Sequence, residues 1–195
     1  MKNSNYYWQG KKVKLRAMEP KDVKIWLEED EDSEAVRFLN YGMELPKHSK
    51  DAANFAENYS YFKNSDKRIM FTIENLEGKI VGGMNIHTID RKNGTFGIGS
   101  RIYRKYRGHG YAIDAKKVIL RYCFFEMRMH KYNAGCMANN DAIISHYKKL
   151  GLKQEGIRRE SIYSEGKYID ELLFGLTKDE FIENEKSMYS KNNSR

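Results

Sequence analysis

The sequence predicts a mixed α/β (α+β) protein with a single central sheet of about seven strands, mostly antiparallel, flanked by helices. Two patterns lead to this prediction. Apolar residues alternate with polar ones in several short runs, as in half-buried strands, and recur every three or four residues in others, as in amphipathic helices. The segments follow one another as strand, two helices, three strands, helix, strand, helix and two strands. A meander that leads directly into a β-α-β unit is typical of one mixed sheet covered by helices.

The first strand and the first two helices occupy the N-terminal third of the chain. Residues 11–18 alternate between apolar and mostly basic side chains, which predicts a half-buried strand. A helix follows from Pro20, because proline suits the first turn of a helix. A second amphipathic helix is predicted over residues 49–63. The acidic run at residues 28–34 lies between the two helices and is expected to be a loop.

Three strands follow as a meander. Residues 68–75, 79–90 and 95–103 are strand-like, and the turn sequences LEGK and RKNG join them as hairpins. Gly82 and Gly83 lie inside the second of these strands. Glycines in that position predict a bulge or a close approach of another part of the chain.

The second half of the chain alternates between helices and strands. A long helix is predicted over residues 111–127 and a short strand over residues 130–138. The next helix has Asn140 or Asp141 as its N-cap, and Gly151 ends it. The sequences KQEGIRRESIYSEG and KYIDELLFGLT then predict two strands joined by a tight turn.

The composition fits one globular domain. The chain has 195 residues, the length of a typical single domain, and its 40% apolar fraction is enough for one core. We expect this domain to span residues 1–182, including a short N-terminal arm at residues 1–10. The polar C-terminal tail, residues 183–195, is expected to fray.

The net positive charge of the chain favours anionic binding partners. A formal net charge of +8 favours nucleic acid, an acidic membrane or a phosphate-bearing ligand. The simpler interpretation is a lysine-rich solvated surface. The sequence has no recognisable signature of a helix-turn-helix or of an RNA-binding sheet, so no nucleic-acid partner is expected.

The cysteines and the apolar segments bear on the compartment. Cys123 and Cys136 lack the Cys-x-x-Cys spacing of zinc and redox motifs, and two buried free thiols are expected. The N-terminal residues lack an apolar signal region, and no run approaches the roughly 20 apolar residues that span a membrane. We therefore expect a cytoplasmic protein without a membrane partner.

The stretch RKYRGHGYA, residues 104–112, is the first candidate functional motif. It lies between a predicted strand and a predicted helix, where backbone N–H groups are free and the helix dipole is positive. The two glycines let the backbone approach an anion, and arginine can contact two phosphate oxygens at once. The motif predicts a phosphate or pyrophosphate cradle, with a plain turn as the alternative. It is neither a P-loop nor a dinucleotide fingerprint, which would require glycine at Ile113.

This motif and a second one carry a family resemblance. YRKYRGHGYA resembles the acetyl-CoA pyrophosphate loop of the GNAT N-acetyltransferase superfamily, written Gln/Arg-x-x-Gly-x-Gly/Ala, with Lys105 at the first position. NNDAIISHYKKLGLKQEG resembles the family's stretch of Asn, Tyr and Lys-x-Gly-Phe. Here the matching residues are Asn140, Tyr147, Lys149 and Gly151, with Leu152 in place of phenylalanine.

The ends of the chain extend the resemblance to one branch of the superfamily. VKLRAMEPKDV and SEGKYIDELLFGLTKDEF are similar to the opening and closing segments of bacterial ribosomal-protein N-terminal and spermidine acetyltransferases. The resemblance covers about residues 11–182. It implies a sheet splayed between the fourth and fifth strands, and acetyl-CoA as cosubstrate, with CoA as product and without a metal.

The resemblance also implies which residues hold the cofactor. The backbone of the fourth strand would pair with the pantetheine arm, and the glycine loop would hold the pyrophosphate. The implied cofactor-binding residues are Ser100, Ile102, Tyr103, Lys105, Arg107, Gly108, His109, Gly110, Tyr111, Ala112, Asn140 and Tyr147. Asn140 could equally be a plain helix cap.

Catalytic roles follow from the same resemblance. Tyr147 is implied as the general acid that protonates the leaving thiolate, whereas the alternative is a ring that only packs in the core. The strand before the loop has no carboxylate for a general base. Glu171 is the predicted base; Asp170, His87 or a chain of water molecules are the alternatives.

The expected reaction is acetyl transfer from acetyl-CoA to a primary amine by direct attack in a ternary complex. The acceptor would be a small-molecule amine, a polyamine or a protein N-terminus, and a homodimer is possible. The acidic run at residues 28–34 either attracts a cationic acceptor or is a solvated loop. The competing hypothesis is a non-catalytic CoA-binding or sensing domain.

Overall fold

The fold is built on one seven-stranded sheet with the strand order β1-β2-β3-β4-β5-β7-β6. The computed structural model describes residues 5–193. All neighbouring strands are antiparallel except β4 and β5, which run parallel. The strands are β1 (Val13–Ala17), β2 (Ile69–Asn75), β3 (Ile80–Asp90), β4 (Thr95–Ile102), β5 (Lys131–Met137), β6 (Lys153–Ser164) and β7 (Lys167–Thr177).

Six α-helices among the described residues cover this sheet. They are α1 (Asp22–Glu29), α2 (Ser33–Asn40), α3 (Ser49–Tyr59), α4 (Tyr111–Arg121), α5 (Asp141–Leu150) and α6 (Lys178–Asn193). The predicted sheet of seven mostly antiparallel strands flanked by helices is confirmed. Within residues 5–193, no helix combines the length and the apolar character needed to cross a membrane.

Alternation along β2 shows that the helices cover both faces of the sheet. Ile69, Phe71 and Ile73 belong to the larger core together with the buried face of α4. Met70, between them, points to the other face and packs in a separate cluster with Val23 of α1 and with α3. Because β2 is buried on both faces, its apolar run is nearly continuous.

The predicted splay between β4 and β5 is confirmed. The two strands pair only at Thr95 with Lys131 and at Phe96 with Tyr132. Beyond these two pairs β5 continues to pair with β7 up to Met137, while β4 continues to pair with β3. A wedge therefore opens between the two central strands.

The structure differs from the sequence-based prediction at α2. The acidic run was expected to be a loop, but its last residues begin a third N-terminal helix. Asp32 is the N-cap, accepting a hydrogen bond from the N–H of Ala35, and Tyr41 ends the helix in a left-handed conformation. Val36 is the one buried residue of α2, and the helix begins inside the acidic run, which was expected to be a loop.

The C-terminal end of the chain is more regular than predicted. The residues after Phe181, expected to fray, continue α6 to Asn193. Thr177 and Glu180 cap this helix reciprocally, since each accepts a hydrogen bond from the backbone N–H of the other.

Residues 1–4 of the predicted arm and residues 194–195 of the predicted tail lie outside the described part. The predicted helix over residues 111–127 ends as an α-helix at Arg121 and continues as one wider π turn.

Gly82 and Gly83 lie where other parts of the chain approach closely, as predicted. A Cβ atom on Gly82 would collide with the carbonyl oxygen of Arg101 on β4. A Cβ atom on Gly83 would lie 2.7 Å from the Trp26 ring of α1. The missing side chain of Gly83 thus lets α1 pack directly on β3, and that of Gly82 lets the β4 backbone lie close to β3.

A buried carboxylate fixes α1 to the sheet. Asp22 is fully buried, and the Arg16 guanidinium of β1 donates to both of its oxygens at 2.7 and 2.9 Å. The Thr72 hydroxyl of β2 and the N–H of Glu19 donate at 2.7 and 2.9 Å. Burial favours the neutral acid, but these donors together lower the pKa of Asp22 below its usual value.

We predict that Asp22→Asn lowers the free energy of unfolding by about 3–5 kcal/mol, because it leaves the Arg16 charge without its buried partner. Urea denaturation at pH 7 measures this. Since the folded-state pKa of Asp22 is lowered, its contribution is present above pH ~4 and is lost as the pH falls through the folded-state value. Asp66→Asn, at an exposed carboxylate, is the control. A variant within 1 kcal/mol of the wild type would contradict the assignment.

Candidate active site

The wedge between β4 and β5 is a cleft of about 630 Å³. Its walls come from six elements, namely α2, β3, β4, α4, β5 and α5, and from Arg107 in the segment between β4 and α4. Representative lining residues are Phe38, Ile98, Ala112, Gly135 and Ile143. Most of these side chains are small or apolar, so the few polar groups that reach the cleft would orient a bound ligand.

The open edge of β4 provides backbone polar groups on one side of the cleft. The N–H of Tyr103, just after β4, donates to the carbonyl of Val81 on β3 at 3.0 Å. Backbone groups of successive residues in a strand point to opposite edges. Those of Ser100 and Ile102 therefore point toward β5, away from β3, at a level where the two strands no longer pair. The Ile102 carbonyl accepts a hydrogen bond from Nε of Arg107 at 3.2 Å.

Tyr103 differs from the prediction. It was expected to offer its backbone to a pantetheine arm, but its N–H is engaged with Val81 and its carbonyl accepts from the N–H of Tyr106 at 2.8 Å. Its ring is 2% exposed and belongs to the interior. The physical reason is that β3 pairing extends one residue beyond the end of β4.

The glycine loop leads from β4 into α4. A single 3-10 turn, Arg104–Tyr106, precedes Gly108 and Gly110, which have φ angles of +82° and +80°. Only glycine adopts this left-handed conformation without strain. Gly110 is the N-cap of α4 and has no side chain with which to cap it, so the first-turn N–H groups face outward. The Lys12 ammonium donates to the carbonyl of His109 at 2.7 Å and fixes the loop to β1.

The acidic run holds the arginines of this loop. Asp32 forms ion pairs with Arg104 at 3.0 Å and with Arg107 at 2.5 Å. Asp30 forms a similar pair with Arg101 of β4 at 2.6 Å. Burial opposes the charge on Asp32, yet hydrogen bonds from Arg104, the N–H of Ala35 and Arg107 lower its pKa overall. These two carboxylates are therefore engaged with arginines and do not form a solvated loop.

Tyr147 projects from α5 to the point where the strands separate. Its side chain is 5% exposed, and its hydroxyl donates to the carbonyl of Gly135 on β5 at 3.1 Å. The ring packs against Phe174 with centroids 5.2 Å apart. Burial raises the pKa of Tyr147 above its usual value. The residue thus packs in the core and also brings a hydroxyl to the cleft.

The ends of α5 are as predicted. Asn140 accepts a hydrogen bond from the N–H of Ile143 at 3.2 Å, so it is the N-cap, and Gly151 ends the helix with φ +85°. Asn140 also lines the cleft. Its role as a helix cap is confirmed, and a role in cofactor binding stays a prediction.

Glu171 lies next to the same strand residue that Tyr147 contacts. A Cβ atom on Gly135 would lie 2.6 Å from Oε1 of Glu171 and 2.8 Å from the Tyr41 hydroxyl. Burial, followed by the charge of Glu171, raises the pKa of Tyr41. Glu171 forms an ion pair with Arg158 at 2.9 Å. The absence of a side chain on Gly135 is what lets these groups converge.

The other two candidates for the general base, Asp170 and His87, each contact a neighbouring polar group. Asp170 accepts the N–H of Glu160 at 2.8 Å, at an irregular pairing of β6 with β7. His87 lines the cleft, and its Nδ1 lies 2.8 Å from the Thr88 hydroxyl. Burial, with help from the charge of Arg68, lowers the pKa of His87, so its neutral form is favoured.

Sequence reasoning missed Lys116. Its side chain is 1% exposed on the inner face of α4, and it lines the cleft beside Tyr147. Burial lowers its pKa to about 7. The available signal was its position one residue after Ala115 and four before Leu120, both on the buried face of α4.

A splayed mixed sheet, a glycine loop at a helix N-terminus and a tyrosine at the fork are the features expected of an acetyl-CoA-dependent acetyltransferase. Residues 12–153 match the family model described as acetyltransferase (GNAT) domain. The chain belongs to this family and is an N-acetyltransferase. It is 31% identical to the SPbeta prophage-derived uncharacterized N-acetyltransferase YokL of Bacillus subtilis (strain 168), over 90% of this chain and 95% of the relative.

Solved structures share the fold. Spermidine N-acetyltransferase from Vibrio cholerae, in complex with CoA and spermine, aligns with a TM-score of 0.76 and 18% identity. The alignment covers 87% of this chain and 98% of that one. RimL, a ribosomal L7/L12 α-N-protein acetyltransferase in complex with coenzyme A, aligns with a TM-score of 0.74 and 15% identity, over 87% of this chain and 96% of that one. At these identities the likeness shows the fold alone.

Proposed function

We propose that this N-acetyltransferase moves the acetyl group of acetyl-CoA to a primary amine by direct attack in a ternary complex. One observation carries the proposal. The Tyr147 hydroxyl, which donates to the carbonyl of Gly135, lines the cleft together with Ser100 and Ile102 of β4, and the Glu171 carboxylate lies next to the same glycine. An acid, a base and N–H donors are the groups that an acyl transfer to an amine requires.

The cosubstrate would be held along the wedge. The pantetheine amides would pair with the backbone of Ser100 and Ile102, as an added strand does. At the Ile102 carbonyl they would take the place of the Arg107 side chain. Its pyrophosphate would take the N–H groups of residues 107–112, aided by the side chains of Lys105 and Arg107. Asn140, Tyr111 and His109 would border the same ligand.

The chemistry then follows from the groups at the fork. A backbone N–H of β4 would donate to the thioester carbonyl oxygen as negative charge develops there. Glu171 would take a proton from the acceptor amine, which is cationic below its ordinary pKa of about 7.7–8.0 for an α-amine or about 10.4 for a lysine-like amine. The nitrogen would lose its second proton to solvent as the amide forms. As the C–N bond forms and the C–S bond breaks, the Tyr147 hydroxyl would donate its proton to the departing sulfur.

The charges around the cleft favour a protein N-terminus over a polyamine as acceptor. The neighbours in fold include both types, one crystallised with spermine and one named as an α-N-protein acetyltransferase. Of the described residues that line the cleft, Glu34 is the one carboxylate. Asp30 and Asp32 are occupied by arginines. A single α-amine needs fewer unpaired carboxylates than a polycation does.

A thiol-release assay with acetyl-CoA tests the proposal. The acceptor panel contains a peptide with a free α-amine, its Nα-blocked analogue, spermidine and a small primary amine. We expect the free peptide to give the highest kcat/KM and the blocked peptide to give none. If spermidine is preferred, the polyamine alternative holds. Binding of CoA without thiol release on any acceptor would favour the non-catalytic CoA-binding domain.

The Glu171 base has its own test. We predict that Glu171→Gln lowers kcat at least tenfold, because general base catalysis typically contributes about 10²–10⁴-fold. The KM for acetyl-CoA should change little. Glu155→Gln, at a half-exposed carboxylate of β6 paired with Lys131, is the control. If kcat is unchanged in Glu171→Gln, the base is one of the alternatives or water.

Gly108 allows a matched test of the pyrophosphate loop. We predict that Gly108→Ala weakens CoA binding at least tenfold, because a Cβ there intrudes where the backbone meets the pyrophosphate. Gly78→Ala is the control. Gly78 has φ +79° in a distant turn, and a Cβ added to either glycine would meet no other atom within 4 Å, so both changes cost similar backbone strain. Calorimetric titration with CoA measures the difference. Equal affinities in the two variants would contradict the loop assignment.

We predict that Tyr147→Phe lowers kcat about ten- to a hundred-fold, the lower part of the range for general acids, because a thiolate already leaves well. CoA affinity should stay within twofold, since the ring still packs on Phe174. The loss should shrink as the pH rises above the ordinary thiol pKa of about 8.5, where the thiolate no longer needs a proton. Tyr163→Phe, at an exposed tyrosine, is the control. Unchanged turnover would leave Tyr147 a packing residue.

A further inference from the structure

Lys116 occupies a position where the fold would favour an apolar residue. Its neighbours on the inner face of α4, Ala115, Ile119 and Leu120, are fully buried, and Lys116 is 1% exposed. The next residue, Lys117, points away from this face and forms an ion pair with Glu185 at 2.6 Å. Burying an ammonium without a carboxylate is costly, so a buried lysine here needs another partner.

The partner of Lys116 is the ring of Tyr147. The Nζ atom lies 5.1 Å from the ring centroid, within the range of a cation–π interaction. Burial is the one cause of the lowered pKa of Lys116, with no contribution from a carboxylate of the described residues. The adjacent His146 adds no positive charge, since burial and then the charge of Lys116 lower its pKa to about 3.

The proposed acid has a chemical difficulty that this lysine addresses. Burial raises the pKa of Tyr147 above that of an ordinary phenol, whereas a thiol has a pKa of about 8.5. Proton transfer from Tyr147 to the departing thiolate is therefore uphill unless the phenolate is stabilised. A positive charge over the ring face stabilises the phenolate more than the neutral phenol, because the ring then carries negative charge.

We propose that Lys116 is a positioning residue that acts through Tyr147, its ammonium stabilising the charge that develops on the phenol oxygen as the proton moves to sulfur. The inference rests on the proposed function. In each turnover the cationic amine loses one proton to the base before attack and a second to solvent as the amide forms, and the sulfur gains one from Tyr147. The base returns its proton to solvent, so one net proton is released. Tyr147 then regains a proton from solvent, so no other reactant is needed.

The first experiment compares Lys116→Met with Lys117→Met. Methionine matches lysine in length and is apolar, and replacing a buried charge by an apolar residue is often neutral or stabilising. We expect Lys116→Met to lower kcat about three- to thirty-fold, the range of a cation–π interaction of this kind. The KM for acetyl-CoA should change less than twofold, and the melting temperature should not fall. Lys117→Met should keep the wild-type kcat. Lys116→Leu serves as a second variant should Lys116→Met fold poorly.

The second experiment places Lys116→Met in the Tyr147→Phe background. If Lys116 acts through the hydroxyl of Tyr147, the double variant loses no more activity than Tyr147→Phe alone. The inference is overturned by a wild-type kcat in Lys116→Met, or by a loss of the same size in the Tyr147→Phe background. A wild-type chain that binds acetyl-CoA and acetylates no amine overturns the proposed function, and the inference with it. Activity in the wild type with an unaffected Lys116→Met overturns the inference alone.

Discussion

The structure depends on the early end of hydrogen bonding between β4 and β5. After two residue pairs the strands separate, and each keeps its outer neighbour while its inner edge loses a partner. Backbone N–H and C=O groups bind a partner wherever water is scarce, so such an edge is a binding surface by necessity. The glycine loop lies at the open end of the wedge and Tyr147 at its fork. A ligand with alternating amide groups can complete the sheet there.

Local rules account for the parts of the fold that the sequence predicted. Alternation predicted the strands, Asn140 and Gly151 bounded α5, and the paired glycines predicted the loop, because each depends on residues within one turn or one strand. The contacts that the sequence did not predict join residues that lie far apart along the chain. Asp32 meets Arg107 across 75 residues of sequence, and Gly135 brings Glu171 beside Tyr41 from three separate elements. The composition and the periodicity of the sequence do not predict contacts between such distant residues.

Burial sorts the titratable groups of the cleft by protonation state. It raises the pKa of the Tyr147 phenol and raises that of the Cys136 thiol to about 11, and it lowers the pKa of His146 to about 3. Each of these groups is therefore neutral at physiological pH. Burial also lowers the pKa of Lys116, to about 7, so this lysine can be either charged or neutral at physiological pH. Lys116 thus determines the charge next to Tyr147, where the neighbouring titratable groups Cys136 and His146 are neutral.

The ion pairs of Asp32 have a consequence for selectivity in a chain with a net charge of +8. Asp32 is a counter-ion shared by Arg104 and Arg107, so one of their two positive charges is already balanced before any anion arrives. A polyanion that offers charge alone, such as a nucleic-acid backbone, must compete with Asp32 for these arginines and gains less from them. An anion that also fits the N–H groups at the start of α4 gains bonds that no side chain of the loop supplies. Asp32 thereby weakens the binding of anions that rely on charge alone and favours anions whose shape fits the N–H groups of the loop.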